Sequence, residues 1–548
     1  MNQKIKRIFI LLNMLLLPFL SNGQLSEPLP FLTKSKLNSA LITDYSDIQN
    51  IKAPCALVRL PNQKLAYMVR QDNELKPFYI RAIETGYWDT RYVKDVDYDT
   101  VFADMKKMGA NTAYIMLHWE DLETADNIFD FSFPDQLVCI AKKHELKIGW
   151  VLFLHAQSGY VPSLNPETAW TFHLDDRDSS NYTMQWVKRQ GNLYTTIKDV
   201  LDYGIRPLHV YGHKEIFYRI RRMLYNLAVH YKEDDTVIQV QLGNEEGFSF
   251  LDESDYNPIT AELYDEWKLK TNKSDYAQFK KEAIDWWWQQ FTSAFHEGDP
   301  YKILSFNLDA GQAEAGDEKR IRDTGTSAST YADGNLDVIG SMFYREWGEK
   351  AFLGIDRRYS NSYQYKLPIL IPSEIGIGQF NSSLYFRRFV VQSLERAAQG
   401  LGVYCYGEVN EKESKNSASR NDLIWMFDCI KENEDIIYEG LPGPGFVKCF
   451  MPNNSYKISH LSRNGAETFA MIYHSDINKS DSTLLDSVQI DIQNLCKEPK
   501  TYRVEVRKSG DYDKKDYSFS NQKEKALSIT IPEVKHEDVI FVSIRESH

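Results

Sequence analysis

From Pro77 to Glu408 this chain alternates short apolar stretches with amphipathic helical ones, and few architectures accept that alternation. Pro77 to Ile83 (PFYIRAI) reads as a first strand, followed by a loop from Glu84 to Trp88. Tyr98 to Met108 then places Val101, Phe102, Met105 and Met108 on one helical face, with Gly109 as a stop. Further strands are expected at Thr112–Trp119, Lys147–His155, Thr236–Gly243, Tyr301–Asn307, Leu336–Tyr344, Leu367–Glu374 and Gly402–Glu408. Helices are expected at Gln136–His144, Lys214–Tyr231, Tyr276–Glu297 and Tyr385–Ala398. Each strand is short and apolar enough to be buried on both faces, as parallel strands under helices are. The pattern predicts an α/β fold, a (β/α)8 TIM barrel spanning 77–443.

The flanks read differently. Lys4, Lys6 and Arg7 precede an apolar run from Ile8 to Leu20, and Ser21-Asn22-Gly23 puts small residues before Gln24. Residues 1–23 are therefore expected to be a signal peptide, and the protein to be exported to a periplasm or the cell exterior, with no membrane span once the leader is gone. Residues 24–76 are expected to be a polar lead-in to Asn50 and a small β-hairpin, with Ala56–Leu60 and Lys64–Val69 flanking a turn at Pro61-Asn62-Gln63. After Pro444 helical patterning stops. Thr468–His474, Ser487–Ile492, Tyr502–Arg507, Leu527–Ile531 and Val539–Ile544 read as strands of an all-β sandwich over 444–548.

Removing the three leader cations takes the net charge from −13 to −16, a balance that argues against nucleic acid as a partner. Six cysteines lie scattered, without the spacing of a metal site, so neither metal nor other cofactor is expected. Aromatic content is 13%, which serves core packing and equally suits stacking on sugar rings. Trp286, Trp287 and Trp288 cover too much of a helix to be one face, and core packing, against the C-terminal domain among other options, is the expected role.

Two strands end on carboxylates. Thr236 to Gly247 (TVIQVQLGNEEG) breaks at Gly243 and then presents Asn244 and Glu245; Leu367 to Gly378 (LPILIPSEIGIG) presents Glu374. Barrel enzymes keep their chemistry at the strands' carboxyl ends, and paired carboxylates there suit glycosidic bond cleavage, one as acid/base and one as nucleophile. Glu245 is expected to be the acid, its pKa raised by a second carboxylate, and Glu374 the ionised nucleophile. Glu246 ranks behind Glu245, because on an extended backbone its side chain points the other way. Arg81 and Trp119 are candidate substrate contacts, against ion pairing for Arg81 and core packing for Trp119. Trp347 is placed for stacking on a sugar or for capping a hydrophobic loop.

Asn244-Glu245 resembles the Asn-Glu element of clan A glycoside hydrolases, most of all the β-galactosidase families 35 and 42. Trp119 to Phe131 (WEDLETADNIFDF) is similar to the strand-two motif of family 35, with Trp119, Glu123, Phe129, Asp130 and Phe131 at matching spacing. The likeness covers roughly 77–410. It implies a retaining hydrolase of β-glycosidic bonds with an oligo- or polysaccharide substrate, Asn244 binding the sugar 2-hydroxyl and Tyr344 hydrogen-bonding the nucleophile. Three features depart from that pattern. Asn127 stands where family 35 usually has Gly, and Tyr406 and Glu408 stand where the clan often presents a Trp. The excursion from Gln157 to Arg206 has no counterpart. A β-mannosidase or β-glucanase on the same barrel, or a non-catalytic glycan-binding protein, are the rival expectations.

Overall fold

The computed structural model describes residues 37–86, 96–154, 182, 184–189, 191–195, 212–244, 255–307, 317–327, 329–340, 342–343, 374–376, 383–410, 417–442, 447–450, 456–463, 467–475, 485–493, 499–510, 514–520 and 526–547. The expected signal peptide, 1–23, and the catalytic candidate Glu245 lie outside them, as do Tyr344 and Trp347.

The expected hairpin belongs to a larger sheet. Strands β1 (Ile42–Asp44), β2 (Cys55–Arg59), β3 (Leu65–Gln71) and β4 (Glu74–Pro77) lie side by side in chain order. The lead-in is thus not wholly irregular: 42–50 supplies β1 and a 3-10 turn, Tyr45–Asn50. Alternation gives the sheet two apolar faces. Ala56, Val58, Ala66 and Met68 pack with Ile51 and Tyr438, while Cys55, Leu57, Tyr67 and Val69 share a cluster with Ile80, Ala82, Tyr114, Met116, Val151, Ile238, Ile303 and Val338. The second set comes from successive strands of the central sheet, so the small sheet closes that sheet's amino-terminal end like a stopper. Tyr67 is its centre. Its hydroxyl donates to the Ile238 carbonyl, its N–H to Gln399 Oε1 at 3.0 Å, and its carbonyl accepts from the Tyr438 hydroxyl at 2.6 Å.

The central sheet begins with β5 (Ile80–Glu84) and β6 (Thr112–His118), then a two-stranded excursion, β7 (Glu123–Ala125) and β8 (Ile128–Phe129). After β9 (Lys147–Phe153) comes a second hairpin, β10 (Val187–Arg189) and β11 (Asn192–Tyr194). β12 (Val237–Asn244), β13 (Ile303–Asn307), β14 (Met342–Phe343), β15 (Glu374–Gly376) and β16 (Gly400–Tyr404) complete it. The eight strands run parallel in the order β13-β12-β9-β6-β5-β16-β15-β14, which fits a (β/α)8 barrel. Its two ends approach each other: Asp337 and Val338, just before β14, donate their N–H groups to the Leu304 carbonyl at 3.1 and 3.4 Å. The sixth strand begins later than expected, and the seventh runs past Glu374, its expected last residue. Only Met342–Phe343 of the sixth joins the ladder, and the described part of the seventh is Glu374–Gly376.

The intervening helices follow their apolar stripes. Tyr98–Lys107 is capped by Asp97, whose side chain accepts from the Thr100 N–H at 3.3 Å, and it ends before Gly109 at φ +88°. Ser132–Lys143 starts four residues earlier than the periodicity indicates, because Asp130 accepts from the Ser132 N–H and Pro134 occupies the first turn. Lys214–Tyr231 buries Ile216, Phe217, Ile220, Met223, Leu224 and Leu227, each contributing roughly 1.5–3 kcal/mol. The three tryptophans are buried, and the ring partners of Trp286 and Trp288 are barrel residues. Trp286 stacks on Phe217 at 5.1 Å and Trp288 packs on Phe306 at 4.6 Å, both within the barrel layer.

The C-terminal region is all β in its described residues. One antiparallel sheet contains Tyr456–Arg463, Glu467–His474, Val539–Glu546, Thr501–Lys508 and Lys515–Ser520; a second contains Val447–Phe450, Leu485–Gln493 and Ala526–Lys535. Ala470, Ile472, Val504, Ile540 and Val542 of the first share a core with Val488, Ile490 and Ile529 of the second. Alternate residues Phe469, Met471, Val539 and Phe541 turn the other way and join the barrel's core, where Phe541 stacks on Trp425 at 5.2 Å. No helix of the described residues is long and apolar enough to cross a membrane.

Candidate active site

Parity along the strands decides which side chains line the interior. On β5, Ile80 and Ala82 belong to the interior cluster, so Glu84 continues that face, while Arg81 and Ile83 turn outward. On β6 the same rule puts Tyr114, Met116 and His118 inward. The Tyr114 ring needs Gly149 opposite it, since a Cβ there would sit 2.5 Å from the ring. A polar belt crosses the middle of the interior. Tyr114 donates to Gln239 Oε1 at 2.9 Å, and Gln239 Nε2 donates to Ser305 Oγ at 3.0 Å.

At the carboxyl end the belt is repeated by amides. Asn244 closes β12 after Gly243, whose φ of +80° accompanies a bulge in the ladder, and Asn307 closes β13. Asn307 Nδ2 donates to Asn244 Oδ1 at 2.8 Å, and both residues are buried. Glu84 and His118 are also fully buried at this end. Cys405 follows β16, and Gly86 (φ +72°) leaves room for it, because a Cβ there would lie 2.7 Å from the sulfur. Burial, with the charges of Glu408 and Glu84 adding to it, pushes the Cys405 thiol up to about 12. It stays protonated at neutral pH and is no nucleophile.

Of the residues expected from sequence, Asn244 takes its place at the end of β12, with Glu245 the next residue in the chain. Glu374 opens β15, paired with Met342 of β14, and its side chain lies outside the described residues. Trp119 does not present a face to solvent. It is 1% exposed, packed in the barrel's core, with its indole N–H on Glu123 Oε2 at 2.8 Å. The fully buried Glu123 also accepts from the Asn127 N–H at 2.7 Å and from Arg222. Asn127 sits at φ +58°, which accounts for the glycine usual at this position: the turn needs a left-handed residue, and Asn tolerates that conformation.

Arg81 is corrected by the structure. It occupies the amino-terminal end of β5 and the outward face, where Nη1 donates to Glu434 Oε2 at 2.6 Å and Nε to the Gly109 carbonyl at 3.2 Å. It lines a cleft of about 850 Å³ with Lys147, Asp235 and Glu434, on the rim opposite Asn244.

Sequence reasoning missed four residues here. Asn307 and Glu84 end strands and were legible as such. Asp255 and Asn257 are less obvious, although Asn257-Pro258 is a helix-start signal for Pro258–Thr271. Asp255 is buried and accepts from the Trp186 and Asn257 N–H groups at 3.0 and 2.9 Å and from the Thr260 hydroxyl at 2.5 Å. Burial raises its carboxyl to about 7 despite those three donors.

No protein-family model and no curated protein matches this chain. Among solved structures, one described as a glycoside hydrolase is similar in fold at a TM-score of 0.51 and 11% identity, covering 89% of this chain and 96% of that one. A β-galactosidase from the Antarctic haloarchaeon Halorubrum lacusprofundi aligns at a TM-score of 0.45 and 13% identity over 64% of this chain, which spans 57% of that chain's length. A GH30 endoxylanase from Clostridium papyrosolvens C71 aligns at 0.44 and 9% identity, covering 86% of this chain and 97% of that one.

Proposed function

We propose that this protein is an exported retaining glycoside hydrolase that cleaves β-glycosidic bonds, β-galactosidase-like in its sugar preference, on a closed (β/α)8 barrel carrying a C-terminal β-sandwich. The observation that carries the reading is the fixed end of β12. Asn244 is held by Asn307 at the carboxyl end of a parallel strand, Glu245 is the next residue, and Glu374 belongs to a strand running the same way in the same sheet. Asn244 stands at the carboxyl rim, where catalytic residues of such folds gather, and in this reading Glu374, the first residue of β15, serves the same rim.

In this reading Glu374 attacks the anomeric carbon while Glu245 protonates the departing oxygen. A covalent glycosyl-enzyme forms, and Glu245 then takes a proton from the water that releases the sugar. Retention requires the two carboxyls to stand about 5–5.5 Å apart. Asn244 serves the sugar 2-hydroxyl, Tyr344 the nucleophile, and Trp347 the stacking of a ring. Export rests on the leader, with Lys4, Lys6 and Arg7 ahead of Ile8–Leu20.

The test is hydrolysis of a panel of aryl β-glycosides by the wild type, Glu374→Ala and Glu245→Ala. Turnover of one sugar, abolished in Glu374→Ala and restored by azide in one of the two variants, is the expected result. Activity surviving Glu374→Ala removes the nucleophile from its role, and sugar binding without turnover in the wild type makes this a glycan-binding protein.

A further inference from the structure

The bulge at the end of β12 re-aims one side chain. Between the paired residues Gln241–Ser305 and Asn244–Asn307, β12 takes three steps and β13 two, so β12 carries one extra residue, and Gly243 adopts φ +80° there. On β13, Ile303 and Ser305 face the barrel's interior, and Asn307 follows them inward. On β12, Gln239 faces inward, bonded to Tyr114 and Ser305, while Val240 and Leu242 belong to the core under the helices. Plain alternation would therefore carry Gly243 inward and turn Asn244 out with Leu242. The extra residue brings Asn244 in against Asn307 instead.

The amide pair formed there is satisfied on one side only. Asn307 Nδ2 donates to Asn244 Oδ1 at 2.8 Å. Asn244 is 5% exposed, and among the described residues its own Nδ2 meets no acceptor. An amide donor left unmet in a buried position costs free energy, and folds keep few of them. Closing two strand ends does not call for one. Here the donor stands at the carboxyl end of a barrel strand, where ligands bind.

We infer that Asn307 is a positioning residue that sets the site's choice at one sugar position: by occupying Asn244 Oδ1 it turns the Asn244 Nδ2 donor toward the ligand, so the group opposite must accept. This role rests on the reading of the protein as a glycoside hydrolase in which Asn244 serves the sugar 2-hydroxyl. A hydroxyl oxygen accepts a hydrogen bond, whereas an ammonium group has donors only. The substrates are then glycosides of neutral 2-hydroxy sugars, and 2-amino-2-deoxy sugars are refused while their amine is charged. Asn307 itself is assigned no contact with the substrate.

The experiment uses the full chain and three aryl β-glycosides of one sugar, bearing at C2 a hydroxyl, a hydrogen or an amine. It is run at about pH 6, below the usual amine range. Asn307→Leu keeps the volume and removes the donor, which frees the Asn244 amide to turn over. The preference of the wild type for 2-hydroxy over 2-deoxy substrate, as a ratio of kcat/KM values, is expected to fall by about 10–100-fold in this variant. Its preference for 2-hydroxy over 2-ammonium substrate should fall by about tenfold or more. Equal loss on all three substrates makes Asn307 a structural residue only and overturns the inference, with the glycosidase reading left standing. The wild type alone supplies a second check that no folding defect can obscure: turnover of the 2-ammonium glycoside as fast as the 2-hydroxy glycoside means that Asn244 presents its acceptor, and overturns the inference as well. A wild type that hydrolyses none of the three defeats the glycosidase reading itself.

Discussion

Asn307 donates its side-chain amide to Asn244 across 2.8 Å, joining the final residues of two neighbouring parallel strands inside the barrel. The bond fixes which way the Asn244 amide faces, and so which of its groups is offered to a ligand at the rim. Replacing Asn307 by Ala removes the donor from a buried acceptor, at about 1–3 kcal/mol of stability. Under the proposed function it also lowers kcat/KM by roughly 10–100-fold, because a misaimed polar group costs a transition-state contact. Chemical denaturation and turnover of the preferred aryl glycoside, measured on the same variant, check both effects. An unchanged kcat/KM would separate Asn244 from the chemistry.

Asp255 predicts a pH signature. Its folded carboxyl is raised to about 7 from an ordinary 3.8, so the native state binds the proton more tightly than the unfolded chain. The stability this residue contributes is full below about pH 4 and is lost as the pH rises through 7, at up to about 1.4 kcal/mol per pH unit in that window. Urea unfolding of the wild type and Asp255→Asn from pH 4 to 8 should show the difference between them falling with pH. A difference independent of pH would show that the group is ionised throughout.

Glu123 gathers three donors, the Trp119 indole, the Asn127 N–H and Arg222, with no exposure of its own. Glu123→Ala leaves Arg222, among the described residues, with only its exposed partner Asp126 and is expected to cost about 3–5 kcal/mol. Glu123→Gln retains an acceptor for the indole and should cost less than half as much. Thermal melts of the two variants give the comparison.

Arg81→Met should leave catalysis alone. The lost pair with Glu434 lies on the amino-terminal rim, and Glu434, still a quarter exposed and accepting from the Tyr79 N–H, is not left stranded. A loss of about 2 kcal/mol, below that of a fully buried pair, with kcat/KM unchanged, is the expected outcome.

One C-terminal sheet reaches into the barrel's core through Phe469, Met471, Val539 and Phe541. Phe541→Ala, which removes the ring stacked on Trp425, is expected to destabilise the whole chain by about 3–5 kcal/mol. Calorimetry should record one transition shifted downwards. Two separate transitions would mean that the regions melt independently.

Periodicity made the barrel layer legible wherever one stripe was apolar and its neighbours were not. Lys214–Tyr231 is the helix its residues describe, and β6 and β9 start where expected. What escaped was set by partners far away in sequence. Arg81 looked like a site residue because it lies in a strand beside a catalytic rim, yet one step of alternation and four residues of strand length send it to the opposite end. Trp119 was balanced between stacking and packing until Glu123 and Arg222 closed over it. Pro258–Thr271 carries an Asn-Pro start signal but little amphipathic contrast, burying only Thr260, Leu263 and Trp267, so pattern reading passed it by. Asp255 has local partners in the Asn257 N–H and the Thr260 hydroxyl, two and five residues on, but its bond to the Trp186 N–H spans 69 positions and only the fold supplies it.

The stopper at the amino-terminal end has a consequence for how the chain is made. Tyr67 is among the early residues to be synthesised, but its partners are separated from it by 171, 332 and 371 positions, at Ile238, Gln399 and Tyr438. Until those arrive, the faces built on Leu57, Val69, Val58 and Met68 are covered only in part, by residues such as Ile51, Ile80 and Tyr114. Long-range closures of this kind are slow to form. A segment made before its partners is thus a late segment to settle.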